Sequence, residues 1–68
     1  MMTEADLISR LAAVNTFADV DEEAFHGYED ALAIDVFEAI AAGTIWDARK
    51  AAHMMYDQML TDATRWYA

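Results

Sequence analysis

An all-α fold, a compact bundle of three to four helices with the C-terminal helix longest, is what the sequence predicts. Three features predict it. The 68 residues contain no proline. Apolar residues recur at three- and four-residue intervals, the spacing of one helix face. The stretches left between periodic segments are short, which implies antiparallel neighbours. The expected helices cover about 3–15, 20–27, 29–42 and 44–66 of a single domain, 1–68.

Each element has its own signals. Thr3 followed by Asp6 has the form of a capping box, with Asp in place of the usual Glu. Leu7, Ile8, Leu11 and Val14 then make one stripe, and Asn15 is a stop because Asn tolerates the left-handed conformation. The loop NTFAD (15–19) carries Phe17, which is expected to fold back onto the core. In the middle, Ala24, Phe25 and Tyr28 share one face, while Leu32, Ala33, Val36, Phe37 and Ile40 share another. At the helical period the two stripes differ by roughly 100°. Gly27 lies where the phase changes and leaves helical geometry cheaply. A break is therefore predicted there. Gly43 closes the next helix and Thr44 caps the last one. Its stripe is Ile45, Ala48, Ala52, Met55, Tyr56, Met59, Ala63 and Trp66, with Trp66 and Tyr67 expected to pin the C-terminus.

Charge is the second theme. The formal net charge is −9, yet 57% of the residues are hydrophobic, which argues against disorder. Asp19, Asp21, Glu22, Glu23, Glu29, Asp30, Asp35 and Glu38 all fall within residues 19–38, and no lysine or arginine occurs between Arg10 and Arg49. Helix starts account for part of this. Asp19, Asp21, Glu22 and Glu23 suit the first turn of a helix beginning near 20, and Glu29 and Asp30 suit one beginning near 29. Each gains about 0.3–1 kcal/mol from the free N–H groups and the dipole. Capping does not explain the missing cations, since a solvated helical surface normally mixes signs. A salt-adapted source or a surface shaped for a basic partner does. A Glu38–Arg49 pair is expected across the Gly43 turn, contributing about 0–1 kcal/mol.

The stretch DVDEEAFHGYED (19–30) invites a metal reading and does not sustain it. Counted from Asp19 as a calcium loop, the position that needs glycine is Ala24 and the last position is Asp30 rather than a bidentate Glu. Glu23 and His26 have the Glu-x-x-His spacing of di-iron bundles, but such sites need the motif twice and two further glutamates. No metal or cofactor is expected.

Enzyme chemistry finds little support. The chain has no cysteine, one serine (Ser9) with no elbow motif around it, and no glycine-rich phosphate loop. A bundle this small has scarcely the interior for a pocket of about 300 Å³. Four basic residues cannot neutralise many phosphates, so direct nucleic-acid binding is not expected. The start MMTEADLISR has neither a basic n-region nor an apolar h-region, so no signal peptide is expected, and no apolar run is long enough for a membrane span. A cytoplasmic location is expected.

Ile34 falls on the acidic side of its helix, and Trp46 and Met54 fall outside the main stripe of theirs. They either widen the core or form a second buried face, in a homodimer or against a docked partner. In size, charge and lack of catalytic motifs the chain resembles the short acidic proteins by which bacteriophages block host defence, anti-CRISPR proteins and DNA mimics among them. That resemblance rests on no particular residues and assigns no residue a role. It implies an inhibitor in the host cytoplasm that occludes the basic, nucleic-acid-binding surface of a partner protein. The alternative is a small helical homodimer or accessory subunit acting as a structural or regulatory module. On the first reading the eight acids bind the partner, assisted by Ile34, Trp46 and Met54. On the second the three apolar residues matter and the acids do not.

Overall fold

Helix α1 (Glu4–Asn15) starts where the capping box places it. In the computed structural model, which describes the backbone of residues 1–67 and the side chains of residues 1–61, the Asp6 N–H donates to the Thr3 hydroxyl at 3.1 Å. The Thr3 N–H donates to the Asp6 carboxylate at 2.9 Å. The end of α1 differs from expectation. Asn15 is the last residue, but Gly43 is the only described residue with positive φ. Instead the chain tightens: the N–H groups of Thr16, Phe17 and Ala18 each donate to the carbonyl three residues back. These shorter bonds satisfy the carbonyls that a helix end leaves free.

Helix α2 (Glu22–Ala42) is unbroken through Gly27, so the predicted separation into 20–27 and 29–42 does not occur. The reason is Glu29. The buried residues of α2 are Phe25, Glu29, Leu32, Ala33 and Val36. With Glu29 counted among them, the stripe advances by four, three and four residues and holds one phase. Tyr28 and Phe37, which drew the two apparent stripes apart, are both exposed. Only the start at Asp21 is capped, its side chain accepting the Ala24 N–H at 3.0 Å. Glu29 and Asp30 cap nothing, because no helix begins there.

Gly43 ends α2 in the left-handed conformation, φ 71° and ψ 26°. The Thr44 N–H reaches the Ala39 carbonyl and the Gly43 N–H the Ile40 carbonyl, the paired bonds of a Schellman motif. Helix α3 (Ala48–Tyr67) then begins four residues later than expected. Thr44 does not cap it, because Thr44–Trp46 is stitched to the N-terminus. Met2 N–H donates to the Thr44 carbonyl and the Trp46 N–H donates to the Met2 carbonyl, forming an isolated parallel bridge between Met2 and Ile45. The cap passes to Asp47, which accepts the Lys50 N–H at 3.0 Å. Starting late, α3 has 20 residues against 21 for α2, so among the described residues the C-terminal helix is not the longest.

The three helices make an all-α bundle. Contacts fix their directions: Arg10 meets Asp35 and Phe17 meets Tyr28 across α1 and α2, while Gln58 meets Glu29 across α3 and α2. Both neighbours thus run antiparallel to α2. The core joins Leu7 and Val14 of α1, Phe25, Leu32, Ala33 and Val36 of α2, and Ala51 and Met55 of α3. Phe17 packs on this core as expected, its ring centroid 5.1 Å from that of Tyr28. Ile8 is exposed, so the stripe of α1 is narrower than its sequence implies. The expected anchoring by Trp66 and Tyr67, and the Ala63 and Trp66 end of the α3 stripe, lie outside the described side chains. Among the described residues, no helix is long and apolar enough to cross a membrane.

Candidate functional site

The eight acids of residues 19–38 separate into three environments. Glu29 is 2% exposed and cannot belong to a partner-binding surface. Its carboxylate accepts a hydrogen bond from the Gln58 amide at 2.8 Å. The same Gln58 nitrogen donates to the Asn15 amide oxygen at 2.8 Å, and Asn15 returns a bond to the Gln58 oxygen at 3.1 Å. One residue from each helix meets there. A carboxylate buried in a small bundle is tolerable only with such partners. Asp35 is half-buried and faces α1, where the Arg10 guanidinium lies 2.8 Å away. Its charge is offset internally, so it contributes little to an outward field.

The remaining six, Asp19, Asp21, Glu22, Glu23, Asp30 and Glu38, are exposed. Asp19 and Asp21 sit in the turn before α2. At roughly 100° per residue, Glu23, Asp30 and Glu38 project from the side of α2 opposite its buried stripe. Ile34 and Phe37 lie among them, 58% and 57% exposed. The result is an outer helix face that mixes carboxylates with bare hydrocarbon. No lysine or arginine occurs anywhere on α2. The expected Glu38–Arg49 pair does not form; among the described residues of α3, Lys50 pairs with Glu4 of α1.

Of the three apolar candidates only Ile34 is free for a partner. Trp46 and Met54 are half-buried and packed against the core. Trp46 is held by the bridge to Met2, and Met54 lies beside Leu11 between α1 and α3. They widen this chain's own core. Phe37 takes their place on the surface. The sequence hid it among the core residues because it is adjacent to Val36 and one turn from Ala33.

Asp6 and Lys50 titrate away from their ordinary values, and both belong to the scaffold. Asp6 is held below the usual aspartate range, first by the hydrogen bond from the Thr3 backbone and then by that from its hydroxyl. The Lys50 ammonium is held above the usual lysine value, first by its hydrogen bond to Glu4 and then by the attraction of that carboxylate. Neither lies on the outer face of α2.

The recesses between helices offer little chemistry. One of about 530 Å³ is lined by Leu11, Asn15, Met54, Asp57, Gln58 and Thr61, so the small size of the bundle does not prevent a hollow from forming. It is a shallow surface recess, though. The Asn15 and Gln58 amides are committed to each other and the Thr61 hydroxyl to the Asp57 carbonyl. Among the described residues no three His, Asp or Glu side chains come together as a metal site. His26 lies 4.0 Å from Glu22, one turn away. No protein-family model, curated protein or solved structure matches the chain.

Proposed function

We propose that this protein is a binding protein, not an enzyme, and that it acts by laying the outer face of α2 on a basic surface of a partner protein. A surface that normally holds DNA or RNA is the fitting target, so that docking excludes nucleic acid. The observation that carries the reading is the outer face itself: Glu23, Asp30 and Glu38 stand beside exposed Ile34 and Phe37 on a helix with no cation. Unpaired carboxylates steer and orient an encounter with a positive patch, and apolar contact holds it. RNA-guided nucleases present such a patch, since they hold nucleic acid in a positively charged channel. An antagonist of host defence working in the host cytoplasm fits this chemistry. Two of the eight candidate carboxylates, Glu29 and Asp35, serve the fold instead.

The test is competition. An RNA-guided nuclease complex is loaded with fluorescent target duplex, and release is followed as this protein is added at about 0.1 M and about 0.5 M salt. The Debye length falls from roughly 10 Å toward roughly 4 Å over that range. Release at low salt that weakens strongly at high salt supports occlusion through charge. Binding indifferent to salt, or none at either concentration, counts against it.

A further inference from the structure

The side of the α2–α3 pair that turns away from α1 is uncovered. Its position follows from the helical period. Tyr28 and Asp35 mark the side of α2 that meets α1, and Lys50 marks that side of α3. Counting roughly 100° per residue, Phe37 on α2 and Ala52 and Met59 on α3 fall about a quarter turn from the centre of each buried stripe, in the opposite direction. Ile34 and Tyr56 lie further out on the same side. All five are exposed, Tyr56 at 61%. Because the helices are antiparallel, with Glu29 level with Gln58, Phe37 lies toward one end of the shared face and Met59 toward the other. Ala33 and Ala52 lie between them. Ala33 and Ala52 are small, and bulkier side chains stand at the two ends of this seam.

The charge on this face is one-sided. Glu23, Asp30 and Glu38 run along the α2 edge, and residues 48–56 of α3 contain no carboxylate. That asymmetry selects the occupant. A second copy would bring another chain of net charge −9 against this edge, and self-repulsion opposes it. A helix with an apolar stripe and cations on one flank matches both properties. The seam between two antiparallel helices also suits a third helix, at the usual spacing of about 8–10 Å.

We infer that the partner presents a basic amphipathic helix, which seats its apolar stripe on Phe37, Tyr56 and Met59 and turns its lysines or arginines toward Glu23, Asp30 and Glu38. The inference rests on the function proposed above for the sign of the partner's charge, and adds its secondary structure and apolar anchor. Glu23 to Glu38 spans about 22 Å of α2, so the docked helix has about four turns. This is helix-in-groove recognition with its charge on one side.

Three synthetic probes test it, each titrated into the isotope-labelled chain and followed by amide chemical shifts. The first is an 18-residue peptide with leucine at i, i+3, i+4 and i+7 and lysine elsewhere; 18 residues give about five turns, enough to cover the edge. The second has the same composition scrambled, and the third is oligolysine of equal charge. The amphipathic peptide is expected to bind at least about tenfold tighter than the scrambled one, with shifts concentrated at 33–38 and 52–59. Phe37→Ser, at an exposed position, should abolish that margin without unfolding the chain. Equal, salt-sensitive binding of all three probes overturns the helix site and leaves the charge-based function standing. Binding by none overturns both. A dimer in sedimentation that Phe37→Ser converts to monomer assigns the face to a second copy and overturns the inference.

Discussion

Glu29 is the residue on which the interior turns. Its neighbours in sequence, Tyr28 and Asp30, face outward, and it is itself an acid in an acid-rich stretch. Composition therefore assigns it to solvent, while spacing assigns it to the core: four after Phe25 and three before Leu32. The structure follows spacing, because Gln58, itself paired to Asn15, supplies a donor where the stripe crosses α3. Nothing local to 19–30 announces a partner 29 residues away, which is why the buried role is hard to read from the sequence. Glu29→Ala removes one of the two acceptors of the Gln58 amide and should lower unfolding free energy by about 1–3 kcal/mol in urea titration. An unchanged midpoint would place the carboxylate in solvent. The Asp6 cap makes a pH-dependent contribution. Its pKa is lowered by folding, so its stabilisation is present above the ordinary aspartate value and is lost as pH falls through the lowered one. The stability difference between wild type and Asp6→Asn should therefore shrink in acid and hold steady near neutral pH, as thermal melts across that range will show.

At the scale of elements, what was legible was local. The Thr3–Asp6 box and the left-handed Gly43 depend on neighbours in the chain and their positions in sequence were sufficient, while α1 ends at the expected Asn15 by tightening rather than by a left-handed Asn. The start of α3 was not legible, because the competing bonds come from Met2, more than forty residues away. The two glycines provide a paired test. A Cβ at Gly27 would meet nothing within 4 Å, and the helix passes straight through it. Gly27→Ala should then stabilise by about 0.5–1 kcal/mol, since glycine in a helix interior costs about that much. Gly43 also has room for a Cβ but holds φ 71°, so Gly43→Ala should destabilise by about 1–2 kcal/mol through backbone strain. Denaturation midpoints moving in opposite directions support an unbroken α2 and a left-handed stop. A loss at Gly27 would restore the break.

For the whole molecule, the sequence disclosed the sign and location of the charge but not which acids face outward. Six of the eight do. Glu29 is inside and Asp35 is answered by Arg10, a pair formed across α1 and α2 that no sequence spacing reveals. The apolar half of the surface was read less well, because Trp46 and Met54 are absorbed by a core drawn from all three helices while Phe37 is left out. This bears directly on how the function is tested. A charge reversal that includes Glu29 would unfold the protein and imitate a loss of binding. The decisive variant is Glu23→Lys, Asp30→Lys and Glu38→Lys together, at exposed positions, with its fold checked by circular dichroism and its affinity for the nuclease complex measured at about 0.1 M salt, where screening over about 10 Å leaves the face visible to its partner. A folded variant that binds at least about a hundredfold more weakly, a loss of roughly 2.7 kcal/mol, is the predicted result. A folded variant that binds as the wild type does would contradict the assignment of this face.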